Sequence, residues 1–389
     1  MRTSATALLA LGWLGLGACG SETVVPPMVE DSLPDLSPFI TIDLESPPNY
    51  ASVTYPAHYT AAVLAADNTP ANNQITDERA SLGRVLFYDT GLSINRTIAC
   101  ASCHVQSLGF TDAAVQSVGF EGGTTTNHSM RLGNVRFFEG PEMFWDRRAT
   151  DVEDQVLQPI QDPVEMGFDA AAGGLPALIT RMEQTAYYPA LFEWAFGSEG
   201  ITDERMSQAL AQFVRSMVST GSRFDTAFET AGGMSLLDPN GGIGPVDLPG
   251  FTDEENLGLQ LFAGRPPVGL GCQVCHLLPT FALIEDSESI GLDIDETVIF
   301  KSPSLKNVAV TGPYMHDGRF STLTQVMTHY NNGVQDSPSL DDRLREPGGG
   351  APKVLGLSAD EIAAVVAFME TLTDNDLLMD ERFSNPFVN

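Results

Sequence analysis

The chain has 389 residues, 43% of them hydrophobic, which is enough to bury a sizeable core, and its length suggests two domains. Its formal net charge of −31 excludes a nucleic-acid role on Coulomb grounds and favours a basic partner, although acidity also serves solubility.

The chain starts with Arg2, an apolar run from Ala7 to Leu16, and then Leu16-Gly17-Ala18-Cys19. The run is too short to span a bilayer and reads as a lipoprotein signal peptide over 1–18, with Cys19 as a lipid-modified mature N-terminus. The alternative is an ordinary secretory signal with an incidental cysteine. Either one exports the chain, so the expected location is periplasmic, held to the membrane only by a lipid anchor. Residues 19–56 are rich in Pro, Asp and Ser, with Pro26-Pro27 and Pro47-Pro48, and read as a flexible tether.

Beyond the tether the chain nearly repeats itself. Leu82-Gly83-Arg84-Val85-Leu86-Phe87 precedes Cys100-Ala101-Ser102-Cys103-His104, and Leu257-Gly258-Leu259-Gln260-Leu261-Phe262 precedes Cys272-Gln273-Val274-Cys275-His276. The two C-x-x-C-H strings are haem-attachment motifs: two thiols bond the porphyrin's two vinyl groups while the adjacent imidazole ligates the iron. They use four of the five cysteines and imply two c-type haems. The competing four-thiolate zinc site has no use for the two histidines. No cysteine is left for a disulfide.

Secondary structure is expected to be mainly α. Thr202-Asp203-Glu204 opens a run with Met206, Leu210, Phe213, Val214 and Met217 at helical spacing, and Ser358 with Glu361 forms a capping box before Ile362, Val365, Val366 and Met369. Met206 and Met217 read as packing residues, and short hairpins are the only strands expected. The glycine-rich stretch 232–250 marks the boundary between two cytochrome c-like domains, 57–240 and 241–389.

A haem enzyme keeps one axial position open and surrounds it with polar groups, whereas an electron carrier closes both. Phe144-Trp145-Asp146, Gln155 and Glu165 supply candidates: Glu165 for proton transfer on hydrogen peroxide, Gln155 for holding it. On composition alone the plainer readings prevail, with Glu165 a surface carboxylate, Gln155 a solvated helix residue and Trp145 core.

From about Leu82 to the C-terminus the chain resembles the bacterial di-haem cytochrome c peroxidase family, which includes the MauG-type enzymes. The motifs that carry the resemblance are Leu86-Phe87-Tyr88-Asp89, the two C-x-x-C-H strings, Phe144-Trp145-Asp146, Gln155, Pro163-Val164-Glu165-Met166, Pro303-Ser304-Leu305-Lys306-Asn307 and Pro313-Tyr314-Met315-His316-Asp317-Gly318. The resemblance implies that the first haem, on His104, is peroxidatic and the second, on His276, transfers electrons. Glu165 and Gln155 then activate peroxide and Trp145 relays electrons between the haems. A calcium ion is implied on the backbone carbonyls of Thr311 and Pro313. Homodimers are common in the family.

The chain departs from the family pattern in three places. Members that need reductive activation carry a distal histidine where this chain has Val118-Gly119-Phe120-Glu121-Gly122-Gly123; the nearest imidazole, His128, reads better as a loop residue than as an iron ligand. The far ligand of the second haem falls on Tyr330, as in MauG-type relatives, with Met327 and His329 as alternatives. A phenolate stabilises ferric iron and would give a lower-potential haem. The usual calcium asparagine is replaced near His128, with Asn134 a substitute. His316 is expected to pack beside the second haem, and His58 has no assignable role.

The implied reaction is reduction of hydrogen peroxide to water with electrons from a small cytochrome c or cupredoxin. The alternatives are a MauG-type enzyme oxidising residues of a partner protein, supported by Tyr330, and a non-catalytic di-haem electron-carrier lipoprotein. The carrier needs His128 or Met130 as a distal ligand in the first domain.

Overall fold

In the computed structural model, residues 33–388 are described except 139, 141, 266, 284–287, 298–299 and 302, with only the backbone of 283. The signal peptide and Cys19 lie outside the described residues. Helices are the dominant element. Among the described residues strand structure is limited to one hairpin, His276–Leu277 with Ala282–Leu283, and isolated bridges, as the scarcity of alternating patterns predicts.

Two helix pairs organise the chain. Helix α1 (Asp77–Tyr88) starts at Thr76, whose hydroxyl accepts the Arg79 N–H, and carries Asp77 and Glu78 in its first turn, where the helix dipole favours negative charge. It crosses α2 (Asp203–Ser216) at Gly83, where a Cβ would lie 2.0 Å from the Ala209 carbonyl oxygen. Helix α3 (Asp253–Ala263) opens on a Thr252–Glu255 capping box and α4 (Ala359–Glu370) on the expected Ser358–Glu361 box. They cross at Gly258, where a Cβ would lie 1.9 Å from the Ala364 carbonyl oxygen. Only a residue without a side chain permits either approach, so the repeated Leu-Gly is a packing signature. Each first helix then sends a phenylalanine to the following motif histidine. Phe87 lies 6.4 Å from the His104 ring at 41°, and Phe262 lies 6.4 Å from the His276 ring at 39°.

Two apolar cores follow from this duplication. The first gathers Leu82, Leu86, Phe87, Met206, Leu210, Phe213 and Met217; the second gathers Phe224, Phe228, Phe262, Phe281, Val365 and Phe368. Met206 and Met217 are fully buried, as packing residues should be. The helix Arg223–Ala231 opens the second core by stacking Phe224 on Phe228 and setting it edge-on to the Phe281 and Phe368 rings, while Ala282, Leu377 and Phe383 return to the first.

The tether expectation for 19–56 is corrected for its described part. Leu36, Ile40, Ile42, Leu44 and Tyr50 are buried in the first core, Ile40 bridges Phe387, and the Tyr50 hydroxyl donates to the Arg382 carbonyl at 2.5 Å. Its apolar residues lie among Pro and Asp, which gives the segment the composition of a linker, yet they pack into the core. His58 is buried too, with Nε2 3.2 Å from Asp225 and Nδ1 3.0 Å from Glu229; Asp225 also receives the Lys306 ammonium at 2.5 Å.

Candidate functional site

The two C-x-x-C-H motifs line two separate cavities. Cys100 and Cys103 occupy a short helical turn beside His104, and with Gln155, Pro159, Glu165, Met166 and Leu132 they line an opening of about 70 Å³. Cys272, Cys275 and His276 lie on a larger cavity of about 400 Å³ whose walls include Arg131, Trp145, His316, Met327 and Tyr330. The thiols do not converge, and among the described residues no three His, Cys, Asp or Glu side chains are placed to hold a metal ion. That disposes of the four-thiolate zinc alternative.

The His104 ring is oriented by its own loop. Gly109 and Phe110 both take positive φ, which turns the Phe110 carbonyl to within 2.9 Å of His104 Nδ1; Ser129 Oγ lies 3.2 Å from the same nitrogen. With Nδ1–H donating to a carbonyl, Nε2 is left as the unprotonated nitrogen a metal needs. Burial depresses the His104 pKa, and burial together with the Arg131 charge depresses that of His276 to about 4. Both imidazoles are therefore neutral at physiological pH, the form that binds iron.

Glu165 sits on a turn tied by Asp162, whose Oδ1 accepts the N–H of Val164 at 2.7 Å and of Glu165 at 3.0 Å. Burial, with the neighbouring Asp162 charge, raises the Glu165 pKa to about 7, against the pull of Arg148. Gln155 ends a short helix capped by Asp151 and faces the same opening. The loop that lacks a distal histidine is pinned to this turn. Phe120 N–H donates to the Glu165 carbonyl at 3.1 Å, and a Cβ on Gly119 would lie 1.8 Å from the Val164 oxygen.

Neither His128 nor Met130 lines the His104 opening. His128 is a buried loop residue: Nδ1 lies 3.0 Å from the Ala114 carbonyl, Nε2 lies 3.2 Å from Thr111 Oγ1, and its own carbonyl accepts the Trp145 Nε1–H at 2.8 Å. Trp145 thus reaches the second cavity from a segment bonded to the loop that carries His128. In that cavity Tyr330 stands on a π-helical turn, His329–Gly333, which follows the helix carrying Met327. His329 turns away, with Nε2 3.0 Å from the Ile290 carbonyl. Burial and the Cys275 and Cys272 thiols hold the Tyr330 hydroxyl well above its ordinary pKa. His316 stacks on Phe300 at 3.6 Å within the lining.

The expected calcium site draws on the backbone carbonyls of Thr311 and Pro313, with Asn134 as the side-chain substitute. Asn134, offered as a substitute, spends its amide elsewhere: Oδ1 accepts the Ser219 N–H at 2.7 Å and Nδ2 donates to the Thr280 carbonyl at 3.4 Å. His128 offers nitrogen, not the oxygen a hard cation takes, and both its nitrogens are engaged.

A family model for di-haem cytochrome c peroxidase matches residues 77–232. The methylamine utilization protein MauG of Methylorubrum extorquens is 32% identical over 320 residues, covering 78% of this chain and 80% of that protein. The chain belongs to the di-haem cytochrome c peroxidase family. Cytochrome c551 peroxidase of Nitrosomonas europaea is 29% identical over 351 residues, covering 83% of this chain and 89% of that one. Among solved structures, a MauG-like protein associated with microbial copper homeostasis aligns with TM-score 0.64 at 27% identity, over 87% of this chain and 98% of that one. Membership implies two c-type haems, and each cavity offers the donor set that such a group needs, two thiols and one neutral imidazole.

Sequence reasoning missed Arg131 and Ser129. The signal was present in a second internal repeat, Ser129–Val135 against Ser302–Val308, in which Asn134 and Asn307 both take positive φ, 61° and 63°.

Proposed function

We propose that the chain is an exported, lipid-anchored cytochrome c peroxidase that reduces hydrogen peroxide to water. Cys100, Cys103 and His104 would hold one haem in a first cytochrome unit, and Cys272, Cys275 and His276 the other in a second, with Tyr330 as far ligand. The observation that carries the reading is the placement of Glu165 and Gln155 on the same opening as His104, with no second imidazole among the described residues that line it.

The haem, when bound, supplies the redox chemistry of oxygen–oxygen cleavage. Gln155 holds peroxide by hydrogen bonds. Glu165, as carboxylate, takes the proton from the near oxygen and returns it to the departing one, which leaves as water. Its turn is fixed by Asp162, so the carboxyl is positioned before substrate arrives. Two electrons from a small basic cytochrome c or cupredoxin, with two protons, complete the reduction, and Trp145 serves as the aromatic relay between the two sites. The test is steady-state peroxide reduction by the holoprotein with cytochrome c as donor. Glu165→Gln should lower kcat by about 10²–10⁴-fold with both haem spectra intact. Retained turnover removes the assignment.

The resemblance to MauG and the placement of Tyr330 support a second reading, oxidation of residues in a partner protein. Electron paramagnetic resonance of the oxidised protein before and after one equivalent of peroxide separates these from the carrier. A high-spin ferric signal lost on peroxide addition supports an enzyme, and two low-spin signals indifferent to peroxide support a carrier.

A further inference from the structure

Arg131 leaves the first unit's loop and projects into the second unit's cavity beside Cys272, Cys275 and His276. Its Nε donates to the Ser304 carbonyl at 2.6 Å and its Nη2 to the Pro303 carbonyl at 3.0 Å. No carboxylate among the described residues pairs with it. Arg343, in the same wall, is by contrast held by Asp341 at 2.7 Å. Burial lowers the Arg131 pKa to about 10, which still leaves the group charged at neutral pH. Part of its surface remains accessible, as expected of a residue whose open side is the cavity. A buried guanidinium without a counter-ion is costly, and its planar fork matches a carboxylate. The cofactor this cavity fits brings two carboxylates.

We propose that Arg131 is a positioning residue that binds a propionate carboxylate of the second haem and holds that haem's reduction potential up. The same strap touches the first site. Ser129 Oγ donates to the Cys103 carbonyl at 2.7 Å and faces His104 Nδ1, while Leu132 lines the first opening. Four consecutive residues, Ser129 to Leu132, therefore reach the surroundings of both haems, and the first unit supplies the counter-ion of the second. A cation at this place disfavours ferric iron, opposing the effect of a Tyr330 phenolate.

The proposal rests on a haem at Cys272–His276 and is independent of peroxide turnover. Haem content is therefore measured on every sample, and a chain with no second haem overturns the haem assignment and this proposal with it. The experiment is spectroelectrochemical titration of the holoprotein and of Arg131→Gln and Arg131→Lys, with resonance Raman spectra of the propionate deformation bands. In Arg131→Gln the reduced-to-oxidised ratio of the His276 haem, poised at the wild-type midpoint, should fall on the order of tenfold, while the His104 haem moves far less. Arg131→Lys keeps the charge and should restore most of that ratio, yet displace the propionate band because the paired N–H donors are gone. An unchanged ratio in Arg131→Gln, an equal shift at both haems, or a propionate band in Arg131→Lys identical to wild type would overturn it. Should Arg131→Gln not incorporate its second haem, the band in Arg131→Lys decides.

Discussion

Glu165 needs its carboxyl ionised to act as a base, yet its surroundings resist ionisation. Burial and Asp162 raise the pKa to about 7, so the rate should climb with pH through that value as the base form fills. In Glu165→Gln this limb should vanish, and a limb that persists in kcat/KM profiles would assign it to another group. Tyr330 and Met327 share one cavity wall, and a hydroxyl held protonated by burial must lose its proton to ligate ferric iron. Covalent haem attachment would convert the two neighbouring thiols to thioethers, which cannot ionise beside the phenolate. Tyr330→Phe should therefore abolish an oxygen-ligated low-spin signal in the resonance spectrum of the oxidised protein and raise the second haem's potential; an unchanged spectrum would hand the ligand position to Met327. The attachment cysteines and histidines were legible because covalent chemistry fixes their spacing. Arg131 was not, because an isolated arginine in a loop acquires meaning only when folding leaves it without a carboxylate. His128 was legible as a loop residue, and the hydrogen bonds of its loop direct it away from the pocket.

The helix pairs were the most readable elements, since each announces itself by a cap, a helical apolar stripe and a glycine at the crossing. Gly83 and Gly258 stand where a Cβ would intrude to within 2.0 and 1.9 Å of a carbonyl oxygen on the opposing helix. Gly258→Ala should therefore part α3 from α4 and destabilise the second core by about 1–3 kcal/mol, the usual cost of overpacking. Because Phe262 leads from that helix to His276, the same variant should lose haem from the second site first. Pyridine haemochrome content and thermal unfolding check this, and equal loss from both sites would show that the two crossings are not independent. The N-terminal segment was misread for a physical reason. Ile40, Ile42 and Leu44 do alternate, but the surrounding prolines and aspartates carry the composition of a linker, and their partners lie at the other end of the chain. Long-range pairings such as Ile40 with Phe387 leave no local trace.

At the scale of the whole molecule, charge and burial together set where the fold is most stable. The Asp225 carboxyl would be raised by burial, but Lys306, His58 and Ser222 outweigh that and pull it to about 2 from an ordinary 3.8. A lowered carboxylate adds stability above its unfolded pKa, here about 2–3 kcal/mol, and loses it as pH falls from about 4 to about 2. This cluster joins His58, next to Tyr59 of the first core, to Asp225 and Lys306 beside the second, so its loss should loosen the two cores from each other. Glu165 works in the opposite direction. Its folded pKa of about 7 lies above its ordinary 4.5, so its contribution is complete below 4.5 and fades as pH rises through 7. The net charge of −31 adds self-repulsion that also grows toward neutrality. The three effects agree on one window, and thermal midpoints of the holoprotein should peak between about pH 4.5 and 5.5, below the range where most proteins are most stable. Glu165→Gln should flatten the neutral side of that curve, and Lys306→Met should move the acid side upward in pH by leaving Asp225 buried without its cation. A maximum that stays near pH 7 in wild type would mean that neither group keeps its pKa once haem is bound.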